Sequence, residues 1–448
     1  VKSRHIAVVG SGIAGLSAAW LLSKTHRVTL IEADNRPGGH SNTVDCDIDG
    51  KDVAVDTGFI VYNPPAYPNL TALFRHLDVP TAPSNMSFAV SMGNGAYEYA
   101  GSNLLQLVGN AGNLLNRGHW SLMRDIPRFF RTALAKLPAL SEDMTIGDFM
   151  KAEGYSEYFM DRHMLPMAGA IWSAAAGDMR DYPARAFLRF FQNHGLLKLT
   201  NRPLWRTVRG GSREYVARIM RDGDFETRLR TPVKRIVRDG SGVTIHAEHG
   251  GEQTFDDVVI ATHGDQALRL LADPSPEERQ ILGAFRYSRN RAILHRDETL
   301  MPKRRRLWAS WNYMSALPPA VVQTSTVTYW MNALQPLATT SPVFVSLNPM
   351  QEPRASKVLA EFDYTHPIFD PLAMAAQKSL WTLQGQRHTW FCGAHFGAGF
   401  HEDGLQSGLA VAEHIGAMRR PWTVENESGR IHVEPVAPET VRFPEAAE

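Results

Sequence analysis

Along the 448 residues, short apolar runs alternate with longer amphipathic stretches, and the two patterns predict different elements. The first run, HIAVV over 5–9, is short and rich in β-branched residues, as in a strand buried on both faces of a parallel sheet. From Leu16 to Leu22 the apolar positions take helical spacing, and Val28 to Ile31 (VTLI) predicts a second buried strand. Apolar runs at 327–331 and 343–347 predict further strands, and FDDVVIATH (255–263) another buried one. Helical patterns occupy LLQLVGNAGNLL (104–115), WSLMRDIPRFFRTALAKL (120–137) and ARAFLRFFQNHGLL (184–197), with Pro127 expected to break or kink the second. From Pro421 onward Pro, Glu and Val dominate, which predicts a tail running over the surface.

Between the first strand and the first helix stand Gly10, Ser11, Gly12, Ile13, Ala14 and Gly15, a G-x-G-x-x-G turn. The first glycine permits the tight turn, the second lets backbone approach a pyrophosphate, and the third lets helix pack closely on strand. Unpaired N–H groups at the helix N-terminus then face the anion. Glu32, followed by Ala33, ends the second strand about 20 residues on, where a carboxylate can accept hydrogen bonds from ribose hydroxyls. Strand, glycines, helix, strand and acid in this order predict a dinucleotide site.

A second glycine turn follows in ADNRPGGHSNTV, with Arg36, Pro37, Gly38 and Gly39. An NAD dehydrogenase has no need of it. Here the chain resembles the flavin-containing amine oxidase superfamily, which includes phytoene-type desaturases and protoporphyrinogen oxidase. The resemblance implies FAD as cofactor, with Gly38, Gly39, His40 and Thr43 in the segment that wraps its pyrophosphate and ribityl chain. His40 stands where that family usually has Arg. VAVDTGFIVYN (53–63) resembles the segment whose backbone, at Thr57, Gly58, Phe59 and Ile60, passes beside the isoalloxazine ring. GGSREYVARI (210–219) resembles the family's glycine turn and helix, and TPVKRIV (231–237) the strand that reads the adenine edge around Val233. Thr262 closes 255–263 on the dinucleotide. TWFCGAHFGAGFHEDGLQSGLAVAEHI (389–415) resembles the C-terminal flavin motif, a strand, a glycine-rich loop at Gly393 and a helix aimed from Gly404–Leu405 at the flavin O2 edge. Ala394 replaces the family's usual acid, so the ribityl hydrogen bonds are expected from Glu402 or Asp403.

These segments divide the chain. Residues 1–74, 205–268 and 385–420 are expected to form one discontinuous Rossmann-type FAD-binding domain of α/β class. Residues 75–204 and 269–384 are expected to form an α+β substrate domain of the amine oxidase type, with 421–448 as a C-terminal surface tail. Composition adds exclusions: 47 basic against 46 acidic side chains give a net charge of +1, which argues against a nucleic-acid partner. Two distant cysteines, Cys46 and Cys392, indicate a reducing compartment and no disulfide framework. No run reaches the ~18 apolar residues a membrane span needs. No metal-ligand spacing occurs, so no metal is expected. The expected location is the cytoplasm, with the basic amphipathic stretch 120–137 and the Lys/Arg/Trp stretch 303–311 as candidate contacts with the inner face of the membrane. The alternative for both is an ordinary solvated basic face.

Residues 163–197 resemble one bacterial branch of the superfamily, associated with cyclopropane-fatty-acyl synthases. That resemblance implies an acyl chain of a phospholipid as substrate, methyl-branched or unsaturated, desaturated or otherwise oxidised by hydride loss to flavin N5. Such chemistry needs a group that takes a proton from the neighbouring carbon or stabilises a developing cation. Candidates are Tyr364 and His366 in FDYTHPIFD (362–370), and His401 and Glu402 in the C-terminal loop; a structural hydrogen bond is the competing role for each. Asn193 and His194 share that ambiguity. Cys392 beside Gly393 reads as a buried structural thiol, not a flavin thioether, and nothing but location favours His40 as a covalent ligand. Two other classes compete: a soluble amine or polyamine oxidase, and a flavoprotein scaffold without catalysis. The flavin-facing lysine of true amine oxidases has no counterpart, Lys357–Leu359 falling in a helix-like stretch.

Overall fold

The apolar run His5–Val9 lies at the centre of five parallel strands, ordered Thr389–Phe391, Asp257–Ile260, His5–Val9, Arg27–Ile31 and Glu226–Arg228. The chain is described here by a computed structural model covering residues 3–141, 143–172, 178–197, 203–316 and 325–434. Each central strand is buried along nearly its whole length, which is why it reads as a continuous apolar run and not as an alternation. The helix Ile13–Leu22 is buried all round, because His401–Ile415 covers it on one side. That approach is close: a Cβ on Gly408 would lie 2.2 Å from the Ala14 carbonyl oxygen, and one on Gly404 would lie 3.0 Å from Ile13 Cγ2. An antiparallel three-stranded sheet, Val233–Arg238, Val243–Ala247 and Glu252–Phe255, sits beside this layer.

A second sheet of seven strands comes from the intervening segments, ordered Val358–Ile368, Arg286–His295, Phe344–Leu347, Thr326–Trp330, Trp311–Ser315, Phe88–Met92 and Tyr97–Ala100. All its pairings are antiparallel except Trp311–Ser315 with Phe88–Met92. Helices Arg117–Lys136 and Ala184–Asn193 pack here, and Phe129, Phe187 and Phe191 join Leu294 and Val345 in a second core. Among the described residues no helix is long and apolar enough to cross a membrane.

Several local expectations are corrected. Residues 104–115 form two short helices, Leu104–Val108 and Ala111–Leu114, because Gly109 at φ +73° turns the chain between them. Pro127 does not break its helix, which runs unbroken from Arg117 to Lys136. Lys357–Leu359 is not helical in the expected sense: Lys357 ends a single 3-10 turn and Val358 opens a strand. Nor does the tail simply cross the surface over 421–434. Trp422 stacks on Trp20 with centroids 5.8 Å apart, Ile431 is buried, and Arg430 pairs with buried Asp403 at 2.6 Å. Residues 435–448 of the expected tail lie outside the described residues.

Candidate active site

The two layers enclose one continuous cavity of about 1250 Å³. Its first half follows the glycine turns. Gly10 N–H donates to the Ile31 carbonyl at 2.8 Å, tying the turn to the neighbouring strand. A Cβ on Gly15 would lie 1.9 Å from the Gly10 carbonyl oxygen, so only glycine lets this helix start against this strand. Gly12 caps the helix Ile13–Leu22 without a side-chain hydrogen bond, and a Cβ there would meet nothing within 4 Å. No acidic residue stands in the first turn. The open face and unopposed N-terminal dipole suit a pyrophosphate. The second turn closes on the first, Gly38 N–H donating to the Ser11 carbonyl at 2.9 Å. Glu32 lies at the rim, accepting from Ser11 N and Ser11 Oγ at 2.8 and 2.5 Å.

Gly10, Ser11, Gly12, Ile13, Ala14, Glu32, Ala33, Gly38, Gly39, His40, Thr57, Gly58, Phe59, Ile60, Val233, Thr262 and Gly393 all line the cavity. Six other cofactor candidates do not. Gly15 lies beneath the turn, as its packing role requires. Thr43 Oγ1 donates to Asp56 at 2.6 Å and accepts from Arg213 N at 3.1 Å, bracing the hairpin Thr43–Ile48/Lys51–Asp56 against the helix Arg213–Asp222. Gly404 and Leu405 are buried within the helix His401–Ile415, which begins at His401 and not at Gly404. Asp403 accepts from Phe400 N at 2.7 Å, capping its own helix, and pairs with Arg430.

Glu402 is the largest departure from expectation. Its carboxylate is fully buried and accepts from Asn69 N, Asn69 Nδ2 and Gln406 Nε2 at 3.0, 2.9 and 3.0 Å, and from Leu70 N at 3.0 Å. The helix Pro68–His76 has no capping bond from its own N-cap residue, Tyr67. Glu402 supplies that cap from another helix and does not reach the cavity, so it serves neither as base nor as ribityl contact.

The other three catalytic candidates are brought together. His40 lies between Tyr364, His366 and His263, with ring centroids 5.1, 5.4 and 6.3 Å away, and its Nε2 has no protein partner among the described residues. The Tyr364 hydroxyl is held by Asn42 Nδ2 at 2.9 Å and Thr57 Oγ1 at 2.8 Å, and burial raises its pKa. Asn290 Nδ2 donates to His366 Nδ1 at 2.9 Å, leaving the ring hydrogen on Nε2. His401 stacks on Phe59 at 3.8 Å, and its Nε2 meets Ser41 Oγ at 3.0 Å and the Tyr215 hydroxyl at 3.2 Å. Burial lowers His366 to about 4 and His401 to about 3, and holds His40 well below its ordinary value with help from the neighbouring imidazoles. All three are neutral at pH 7.

The far half of the cavity is apolar. Met123, Phe130, Met167, Trp172 and Phe190 line it from the helices, and Trp311, Tyr329 and Leu347 from the seven-stranded sheet. His194 also lines it; its Nδ1 bonds the Phe190 carbonyl at 3.0 Å, and burial lowers it to about 3. The sequence reading missed the sheet residues, and His263, Tyr287 and His395 nearer the cradle. Of the described lining residues Glu32 is the only carboxylate, and none is lysine. Among the described residues no group of side chains could hold a metal ion.

The sequence profile of the family described as flavin containing amine oxidoreductase matches residues 13–295. The L-amino-acid oxidase of Bungarus fasciatus is 58% identical over 41 residues, 9% of this chain and 8% of that protein. The match thus spans under a tenth of that curated relative. A fatty acid isomerase from P. acnes, described as producing CLA, shares the fold with a TM-score of 0.65 and 14% identity, over 91% of this chain and 97% of that one. A putrescine oxidase bound to putrescine superposes with a TM-score of 0.64 and 16% identity, over 92% of this chain and 99% of that one. The cradle fits the cofactor of such proteins: a glycine-capped helix N-terminus for the pyrophosphate, Glu32 for the ribose, and backbone at Gly58 close enough to His40 that a Cβ would lie 2.1 Å from its carbonyl oxygen. This chain belongs to the family of flavin-containing amine oxidoreductases, and FAD is its cofactor.

Proposed function

We propose that the chain is an oxidoreductase acting on the hydrocarbon chain of an acyl lipid, from which two hydrogens pass to FAD. The fold alone does not choose a substrate, since a fatty acid isomerase and a putrescine oxidase share it. The carrying observation is the lining of the substrate half, which is largely apolar and without a carboxylate or a lysine among the described residues. A cationic amine entering it would be desolvated with no counter-charge, which is strongly unfavourable. A hydrocarbon chain loses nothing there and gains by burial.

Bound FAD supplies a two-electron acceptor. The protein supplies position and dryness: Trp172, Phe190, Trp311 and Tyr329 wall the chain in, and Tyr364 and His366 line the same cavity beside His40. Tyr364 keeps its proton, because burial raises its pKa, and His366 presents an N–H. Both are uncharged, so neither sets a charge against the hydrocarbon.

The test is anaerobic mixing of holoenzyme with phosphatidylglycerol vesicles bearing unsaturated chains, with putrescine in parallel. Loss of the oxidised flavin band with lipid, and acyl chains lighter by two hydrogens, is the expected result. Reduction by putrescine alone would overturn the acyl reading in favour of an amine, and no reduction by either would leave a scaffold. An acyl product of unchanged mass would replace net oxidation by isomerisation.

A further inference from the structure

We infer that segment 104–120, with the basic turn 303–306 beside it, docks on an anionic phospholipid bilayer and opens the cavity to it. This rests on the acyl-chain reading, since it names the surface through which such a substrate arrives. Nine large apolar side chains are exposed among the described residues, and five of them fall in this one segment. They are Leu104, Leu105, Leu114, Leu115 and Trp120, exposed by 76, 77, 46, 90 and 52%. Trp120 Nε1 donates to the Leu114 carbonyl at 2.9 Å, which holds the indole against the leucine turn. Such a cluster on one turn marks an interaction surface.

Charge identifies the occupant. Gln106 Nε2 donates to the Arg306 carbonyl at 2.8 Å and Arg306 donates to the Gly109 carbonyl at 2.7 Å, so the basic turn abuts the leucines. Residues 99–124 and 299–311 together hold Arg117, Arg124, Lys303, Arg304, Arg305 and Arg306 and not one Asp or Glu. Arg304 is taken by buried Glu98 at 2.7 Å, and Arg124 leans on Asp125 at 3.2 Å; Arg117, Lys303 and Arg305 are exposed. Exposed leucine and tryptophan ringed by cations match a bilayer interface with anionic headgroups.

The cavity reaches this surface. Leu104 lines it while standing three-quarters exposed, as do exposed Gly101 and Ser102, and half-buried Leu107 and Met123 line the same cavity. An acyl chain can therefore pass from bilayer to cavity without crossing water. The expected face of helix 120–137 is not the docking face. Its Leu122, Ile126, Phe129 and Ala133 are buried in the core, Arg128 is tied to the Glu153 and Gly154 carbonyls, and Lys136 pairs with Glu153.

Vesicle flotation of the holoenzyme tests this, with vesicles of phosphatidylcholine alone and of equal parts phosphatidylglycerol and phosphatidylcholine. Wild type should float with the anionic vesicles and less with the neutral ones. Leu105→Ser with Leu115→Ser should weaken binding by on the order of a hundredfold, about tenfold per leucine. Arg117→Gln with Arg305→Gln should weaken it about fivefold per arginine, on anionic vesicles only. The leucine variant should keep its flavin and its reduction by detergent-dispersed acyl substrate, which shows that it folds. A wild type that does not float, or a leucine variant that floats as well as wild type, overturns the proposal. So does light scattering that shows a wild-type dimer and a monomeric leucine variant, which would assign the patch to a second copy. If wild type floats but no acyl lipid reduces its flavin, the docking surface stands and the substrate reading falls.

Discussion

Replacing Glu402 by alanine separates two roles that its position beside the flavin motif confuses. The structure gives its carboxylate four donors, two of them the Asn69 and Leu70 N–H groups in the first turn of the helix Pro68–His76. That helix starts at a proline and has no capping bond from Tyr67, so both N–H groups lose their protein acceptor in Glu402→Ala. Each buried donor left unpaired costs about 1–3 kcal/mol, and the total destabilisation should be about 4 kcal/mol. A chain of this length unfolds with an entropy of about 0.9 kcal/mol per kelvin, so Tm should fall by about 4 °C. Glu402→Gln keeps one acceptor oxygen and sets an amide against Leu70 N, and should cost about half as much. The assay pairs thermal unfolding with the rate of anaerobic flavin reduction by the lipid that reduces wild type. The expected variant is less stable, yet its reduction rate at a temperature where it is folded stays within about twofold. Loss of a general base would instead slow reduction by about 10²–10⁴-fold. An unchanged Tm with a rate loss of that size would refute the capping role and return Glu402 to the chemistry.

Two further predictions concern the cradle and its bracket. Gly12→Ala projects a methyl into open space beside the helix N-terminus, so the apoprotein should keep its Tm while the flavin-to-protein absorbance ratio falls; in Gly15→Ala, whose Cβ would meet the Gly10 carbonyl oxygen at 1.9 Å, both should fall. Equal flavin content in wild type and Gly12→Ala would place the pyrophosphate elsewhere. Asp56, buried between Ser212, Thr43 and Gln335, is raised by burial to about 6. Its folded pKa lies above the unfolded value of about 3.9, so its contribution to stability is present below pH ~4 and lost as pH rises through 6, by about 3 kcal/mol. Denaturant unfolding at pH 4 and 7 should show Asp56→Asn gaining about 2 kcal/mol of that on wild type, the unfolded carboxyl being half ionised at pH 4 already; a constant difference would mean that the carboxylate is not desolvated.

The cradle was legible because each of its signals is local: a turn that only glycine fits, a helix start beside it, an acid at the end of the next strand. Glu402 was not, because neighbours on a helix point about 100° apart. His401 turns to the cavity and Glu402 to the helix Pro68–His76, although both follow the same glycine loop. The apolar wall was hidden for another reason. Trp311 and Tyr329 are cross-strand partners, and the strand of Trp311 pairs with Phe88–Met92 more than two hundred residues away. Which of its residues face inward is decided by that distant pairing and not by its own alternation. For 120–137 the amphipathic pattern fits a bilayer surface and a protein core equally well, and burial of Leu122, Ile126 and Phe129 decides for the core.

The departure at His40 acquires a reason once the cavity is drawn. The resemblance to relatives leads one to expect Arg at this position, with a charge that no shift in pH removes. Here the residue faces Tyr364, His366 and His263, and Glu32 is the sole carboxylate among the described lining residues. A guanidinium there would bring a fixed positive charge among these rings. An imidazole can bring a hydrogen-bonding nitrogen to the same place and, with burial and three other imidazoles holding its pKa well below the ordinary value, do so uncharged. His263, His366, His395 and His401 are lowered by burial in the same way. A ring of histidines would ordinarily argue for acid–base traffic near neutral pH. Desolvated together, these instead bring uncharged polar contacts to the cavity.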